Sequence, residues 1–571
     1  MCFSAAGLQA KRFLRSPAYV ESWDNGRDGA LALDATIDTF EMVAPNSGSV
    51  GEVEVVVSNR LPVVGVKGPN NRVTFKPGAG GLVTAMEKVS KDSWVGYPGD
   101  VKDPQALQQL RVAAKEVGCH PIPVVLGDEE NDRYYGIVSN DFLWPLFHMM
   151  TDQIDSGGRD DEQAWETYRD VNRKFAKAAA SAARGDGDRI WIHDYHLLLA
   201  GRMLAEKHGI ANAGFFLHTP FPPVDVLLTS ACVRERAQEI VEALLHFQVL
   251  GFQTYSRDVE NFLAWVKELV PEAKIERSGD DEHLFCVRFS GNVTWLRDFP
   301  ISIDHAQLVQ RARSKECEAA TKRVRHELFG NDPPEDGKVI FSAGRLDYTK
   351  GFDKQLCAFA AFLQDHPTQR GKVVFHLVTQ PSRTGIKAYQ DCAAKVEKLV
   401  KDINDRFGTD PWTPVIHNAE GVQHSAMAPL LRAADVIMVT PFPFDGMNLV
   451  VKEAIACNDD GAIVASCGTG AAIQMDDEGL GDALFIVDPK KSHEMAHALR
   501  KALTLDPKQK KSNMQRLQKF GAKNNVHAWA QSFMMVWNHA AKMERSDVQD
   551  TERMRKAWAA VKQEISCALP I

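Results

Sequence analysis

Short apolar runs rich in β-branched residues alternate with longer helical patterns along this chain, and after Arg297 the alternation begins again. The first run is Glu52–Ser58. Ile122–Leu126, Arg189–His193, Ala213–Leu217 and Gly251–Thr254 follow, with helical patterns such as Asp161–Arg184 and Val224–His246 between them. Strands that alternate with helices pair in parallel, because parallel neighbours need a crossover, and the helices cover both faces of the sheet. A breaker cluster, Asn331–Gly337, precedes a second series at Lys338–Gly344, Val373–Val378, Pro414–His417, Val436–Thr440 and Ala462–Ser466. The expected fold class is α/β, with two doubly wound lobes facing across a cleft. The expected boundaries are an extension over 1–52, one lobe over 53–300, a second over 301–525, and a helical segment over 526–571. Pro300 disfavours a continuous helix, which puts the hinge near Phe299–Asp304.

Composition narrows the partners. The 571 residues are 44% hydrophobic and 25% charged, enough apolar surface to build cores and exclude global disorder. A net charge of −8 argues against a nucleic-acid partner, which needs a basic footprint. No uncharged apolar run approaches the ~20 residues of a membrane span. A soluble, cytoplasmic protein is expected, with one alternative: Met1–Pro17 carries Lys11, Arg12 and Arg15 and no acid, as a targeting segment can. The ten cysteines never form C-x-x-C, which supports neither a zinc knuckle nor a disulfide framework.

Open α/β sheets bind ligands beyond the carboxyl ends of their strands, so the residues there carry the functional argument. Asp445-Gly446-Met447-Asn448-Leu449-Val450-Val451-Lys452-Glu453 follows the Val436–Thr440 strand. Asp445 reads as an N-cap, Gly446 permits close backbone approach, and Glu453, eight residues on, would share the face of Asp445. Arg345 and Lys350 stand in Gly344–Gly351 after another strand, and Arg383 in Gln380–Thr384 after a third. In the first lobe Ser58-Asn59-Arg60 ends the first strand, and Gly80-Gly81 opens a helix over Leu82–Val89. His193 and His196 invite a metal-pair reading, but no third ligand of matching type accompanies them, so no metal is expected.

Each cation alone reads as a solvated loop charge. Together, Arg60, Arg345, Lys350 and Arg383 occupy comparable strand-end positions in a net-acidic chain. Like charges 4 Å apart cost on the order of 4 kcal/mol at an effective dielectric of 20. A diphosphate and a phosphate bound side by side therefore need roughly four cations or equivalent dipoles.

Ser58-Asn59-Arg60, Gly80-Gly81-Leu82, Leu143-Trp144-Pro145, His193–His196, Gly251–Thr254, Arg345–Tyr348, Pro381–Thr384 and Asp445–Glu453 occur in the order of a known family. From about Val55 to Trp529 the chain resembles the trehalose-6-phosphate synthases, retaining glycosyltransferases of family 20 with the GT-B fold of two Rossmann-like lobes. The resemblance implies an acceptor-binding first lobe and a nucleotide-sugar-binding second lobe. It implies transfer of glucose from a nucleotide-glucose, UDP-glucose foremost, to glucose 6-phosphate, with no resident cofactor, since the nucleotide sugar is a substrate.

Carried over by motif, Arg345 and Lys350 would hold the donor diphosphate with Gly80, Gly81 and the amides around Met447, Asn448, Leu449 and Val450. Glu453 would hold the ribose, Val422 would lie near the base, and Asp445 and His218 would bind the transferred glucose. Arg60 and Arg383 would clamp the acceptor phosphate, with Tyr135, Trp144 and Asp194 lining the acceptor sugar. Asp194, His218, Arg345, Lys350 and Asp445 would carry the chemistry.

Two departures stand out. Trp94-Val95-Gly96-Tyr97 replaces a Trp-Phe-Gly-Trp-like pattern and adds the Tyr97 hydroxyl to the acceptor pocket, and Phe442-Pro443-Phe444 replaces Leu-Arg before Asp445. These leave a glucosylglycerol-phosphate synthase as one alternative and a non-catalytic regulatory subunit as another. A homo-oligomer is compatible with the reading. No Asp-x-Asp-Gly-Thr phosphatase signature occurs, so a separate phosphatase is expected.

Overall fold

The structure, a computed structural model, describes residues 53–544 except 68–72, 78–80, 88, 90, 116–117, 119, 155–160, 186, 279–280 and 331–333. The expected 1–52 extension, the targeting alternative, Gly80 and residues beyond 544 lie outside the described residues.

Two sheets form. The first contains β1 (Val53–Lys67), β2 (Val73–Pro77), β3 (Lys91–Gly99), β4 (His120–Pro123), β5 (Ile190–His193), β6 (Ala213–Phe216), β7 (Val249–Phe252), β8 (Lys274–Arg277), β9 (Phe285–Phe289) and β10 (Asn292–Asp298). Their order is β4-β3-β1-β5-β6-β7-β10-β9-β8, with β2 on β1. Pairing is parallel from β4 through β7 to β10 and antiparallel at β2, β9 and β8. The second sheet contains β11 (Lys338–Arg345), β12 (Val373–Gln380), β13 (Val415–Asn418), β14 (Val436–Val439), β15 (Ala462–Ser466) and β16 (Phe485–Val487). It is wholly parallel in the order β13-β12-β11-β14-β15-β16.

These orders place the site. Chain order reverses between β1 and β5 in the first sheet and between β11 and β14 in the second. At such a switch point the loops leave in opposite directions and open a crevice. Arg60 follows the part of β1 that pairs with β5, and Asp194 follows β5; Lys350 follows β11, and Asp445 follows β14.

Helices form where apolar residues recur at helical spacing. Helix Glu162–Ala182 buries Trp165, Tyr168, Val171, Phe175 and Ala179, and its Asp161 cap accepts the Ala164 N–H at 2.8 Å. The last described helix, Val526–Glu544, packs on the first sheet. Phe533 stacks 4.4 Å from Trp191, and Trp537 Nε1 donates to Asn212 Oδ1 at 2.9 Å. No described helix is long and apolar enough to cross a membrane.

Three expectations change in detail. β1 runs on to Lys67, so Arg60 sits not at its end but at a register break in the β1–β3 ladder, where a bulge re-aims side chains. The glycine-opened helix spans Gly81–Met86. Asp445 is not an N-cap: the helix starts at Leu449 with Asn448 as its left-handed cap. The eight residues from Asp445 to Glu453 are therefore not one helical face. The Asp445 carboxylate is occupied elsewhere.

Candidate active site

Lys350 Nζ lies 2.8 Å from both oxygens of the buried Asp445 carboxylate. The same oxygens accept the Gly446 N–H at 3.0 Å and Asn448 Nδ2 at 2.9 Å, and His148 Nε2 stands 3.9 Å away. Burial works to raise the Asp445 carboxyl, but Lys350, His148 and Asn448 outweigh it and bring it down to about 2. Asp445 is thus an ionised acceptor paired with Lys350. Burial depresses His148 to about 4 against the pull of Asp445, so the ring is neutral at pH 7.

The first lobe meets this loop directly. A Cβ on Gly446 would stand 2.2 Å from the His218 carbonyl oxygen, so only glycine allows the approach. His218 donates its backbone N–H to Asp194 Oδ1 at 3.2 Å, and its Nε2 lies 3.2 Å from His193 Nδ1. Burial lowers His218 to about 3 and raises the Asp194 carboxyl to about 6. His218 therefore acts as a neutral hydrogen-bonding group.

The third cluster is cationic and aromatic. The Arg383 guanidinium lies 4.3 Å from the Trp144 ring centre, donates to the Tyr389 hydroxyl, and reaches the Tyr195 hydroxyl at 3.1 Å from the other lobe. Arg345 stands 5.4 Å from the same Trp144 ring, and Arg60 stands 5.4 Å from the Tyr135 ring. Buried Asp347 is 3.8 Å from Arg383 and 4.0 Å from Arg345. Burial tends to raise the Tyr135 hydroxyl, yet Arg383, Arg60 and Arg345 lower it below the ordinary tyrosine value. Arg60 and Arg383, expected to converge, both act on Tyr135.

The remaining candidates take these places. Tyr97 pairs with Arg60 in the β1–β3 ladder and packs in the same apolar cluster as Trp144. Gly81 lies against the Leu449 side chain, close enough that a Cβ would meet Cδ1 at 2.5 Å. Met447 is buried, and Val422, Leu449 and Val450 pack half-buried on one core. Half-buried Glu453 has its carboxyl pushed up to about 7 by burial. His193 and His196 make different contacts, His196 stacking on Tyr135. No group of metal-binding side chains gathers among the described residues.

Six residues escaped the sequence reading of the site: His148, Asp347, Tyr195, Tyr389, Arg257 and Asp258. Asp347 had a signal, since it stands two residues after Arg345 in a strand-end motif. Tyr195 had one too, two residues after β5 within His193–His196, whereas His148, Tyr389, Arg257 and Asp258 come from helices and turns. Backbone strain offers a second marker: of the five non-glycine residues with positive φ among the described residues, three are Asp194, Arg383 and Asn448, at 76°, 48° and 57°.

An ion-paired carboxylate, a neutral imidazole and a guanidinium cluster thus converge where two switch points face each other. The pattern of glycosyltransferase family 20 matches residues 52–538. This chain belongs to that family. Among family 20 proteins it is 34% identical over 506 residues to the alpha,alpha-trehalose-phosphate synthase [UDP-forming] of Botryotinia fuckeliana, spanning 86% of this chain and 90% of that one. The structure is similar to an alpha,alpha-trehalose-phosphate synthase (UDP-forming) from Burkholderia xenovorans in complex with glucose-6-phosphate. There the TM-score is 0.71 at 30% identity, covering 85% of this chain and all of that one. It is also similar to the E. coli protein bound with UDP-2-fluoro glucose, with a TM-score of 0.69 at 28% identity, covering 85% and 99% of the two chains.

Proposed function

We propose that this chain transfers glucose from UDP-glucose to glucose 6-phosphate with retention of configuration, giving trehalose 6-phosphate. The observation that carries the reading is the pairing of two differently charged banks in one crevice: Lys350 with Asp445, and Arg60, Arg345 and Arg383 around Trp144 and Tyr135. Relatives named as UDP-forming support UDP as the nucleotide. The acceptor phosphate brings a charge of about −1.5 to −2, which suits the Arg60 and Arg383 guanidiniums that both act on Tyr135.

In this reading Lys350 and Arg345 take the donor diphosphate, Gly81 and the amides from Met447 to Val450 line it, and Glu453 accepts from the ribose. Val422 lies near the base. Asp445 and neutral His218 hydrogen-bond the glucosyl hydroxyls, while Asp194, Tyr97, Tyr135 and Trp144 line the acceptor. The anomeric carbon–oxygen bond to the diphosphate breaks as a bond to the acceptor oxygen forms on the same face. The departing diphosphate takes the acceptor proton. Asp445 serves in this reading as a hydrogen-bond acceptor and not as a nucleophile, its charge being paired with Lys350. The protein contributes proximity and preorganised positive charge. A separate phosphatase would then act on the product.

The test is incubation with UDP-glucose or GDP-glucose and either glucose 6-phosphate or glycerol 3-phosphate, with products identified by mass. A disaccharide phosphate from UDP-glucose and glucose 6-phosphate is expected. A glucosylglycerol phosphate would replace the acceptor assignment, and no product from any pair would favour a regulatory subunit.

A further inference from the structure

Arg257 leaves the first lobe to end inside the second. It lies just after β7, in a wide turn where the Val259 N–H reaches back five residues to the Thr254 carbonyl at 3.2 Å. The residue is 1% exposed. Its Nη1 donates to two carbonyls of the opposite lobe, Asp445 O at 2.9 Å and Gly468 O at 3.0 Å. Its Nε and Nη2 donate to Asp258 Oδ1 at 2.6 Å and Oδ2 at 3.0 Å.

Asp258 is fully buried and has further partners. Its Oδ1 accepts the Phe221 N–H at 2.9 Å; its Oδ2 accepts the Thr254 N–H at 3.0 Å and the Thr254 hydroxyl at 2.8 Å. Phe221 stands three residues after His218. One continuous chain of hydrogen bonds therefore runs from the loop carrying His218, through Asp258 and Arg257, to the backbone of Asp445. The Asp445 N–H donates to Gly468 O at 3.0 Å, so Arg257 shares an acceptor with the residue it holds. The guanidinium also stands 5.7 Å from the Phe444 ring. Phe444 directly precedes Asp445, so the guanidinium packs on the side chain next to the carbonyl it holds.

We propose that Arg257, held by Asp258, is a positioning residue that sets the Asp445 loop in register with the His218 loop across the crevice. The inference rests on the donor reading above, in which Asp445 and His218 grip one glucosyl group from opposite lobes. A flat guanidinium can serve two carbonyls and a bidentate carboxylate at once; an ammonium at the same place cannot. The groups expected on UDP itself, apart from Gly80 and Gly81, lie in the second lobe, so the clamp acts on the glucosyl group rather than the nucleotide.

The experiment compares full-length Arg257→Lys with wild type. It adds Arg257→Met/Asp258→Asn, which removes both buried charges together and leaves neither uncompensated. Steady-state kinetics, UDP affinity by calorimetry, thermal unfolding and amide hydrogen exchange over residues 216–222 and 443–449 are measured. Expected are a fall in kcat of about 10- to 100-fold, UDP affinity within about threefold of wild type, and faster exchange confined to those two loops. Wild-type kcat in either folded variant overturns the inference, as does activity lost only in step with a uniform rise in exchange. If wild type transfers no glucose from UDP-glucose, the donor reading fails, while exchange in the two loops still decides the clamp.

Discussion

On the donor bank of the crevice one cation meets one carboxylate: Lys350 holds both oxygens of Asp445 at 2.8 Å, and Asn448 and the Gly446 N–H donate to the same carboxylate. On the acceptor bank Arg383 lies 3.8 Å from Asp347 and over the Trp144 ring, and exposed Arg60 rests over the Tyr135 ring. The first pairs a buried carboxylate, an acceptor for hydroxyls, with Lys350, and Arg345 at the end of β11 adds a second cation for the diphosphate. The second carries surplus positive charge on aromatic rings and suits a phosphate dianion. Charge balance, rather than residue type, distinguishes what each bank is built to hold.

Breaking the donor bank gives the largest effect. Lys350→Met leaves a buried Asp445 carboxylate without its cation, a loss of about 3–5 kcal/mol in systems of this kind. Transfer should fall by about 10²- to 10³-fold or more, together with a lower unfolding temperature. Activity assays and thermal melts check both.

Arg383→Ala tests the other bank. The apparent KM for glucose 6-phosphate should rise by about 100-fold, since a charge-assisted fork on the phosphate is lost. UDP affinity should stay within about threefold. Equal losses for both ligands would erase the distinction between the banks.

Glu453 sharpens it through pH. Burial holds the carboxyl at about 7, above its unfolded value, so the folded chain keeps this proton more readily than the unfolded one. Its contribution to stability is fully present below the unfolded pKa and is lost as pH rises through about 7. Wild type should therefore lose more unfolding temperature between pH 5 and 8 than Glu453→Gln. A ribose diol donating to the carboxylate favours the ionised form, so UDP should bind more tightly as pH rises through 7, and Glu453→Gln should flatten that slope. Calorimetry across pH decides it.

The smallest effect is expected at Arg60. The side chain is exposed, so Arg60→Ala should weaken the acceptor by about 3- to 10-fold, with a loss that shrinks as salt is added.

Much of this was readable from the chain. β15 (Ala462–Ser466) matches its expected range, and β5, β6, β11 and β14 differ from theirs by one residue, because fully buried parallel strands are near-continuous apolar runs. Arg345, Lys350 and Arg383 fell at or just past strand ends for the same reason, since loops begin where such runs stop, whereas Arg60 lies within β1. Asp445 was misread as a helix cap because local propensity rewards an aspartate before a helix, whereas Lys350, 95 residues earlier, claims both its oxygens. Arg257 gave no local sign of crossing between lobes, since its backbone acceptors lie 188 and 211 residues away in the other lobe.

Periodicity and strand-end chemistry are local, and the order of residues alone carried them: two α/β lobes, a ligand crevice, and the cations to fill it. Which carboxylate quenches which cation depends on distances across the crevice, and so does which imidazole stays neutral or which arginine crosses between lobes. Burial and Coulomb interaction act through space rather than along the chain, so those pairings arose only when the switch points of the two sheets came face to face.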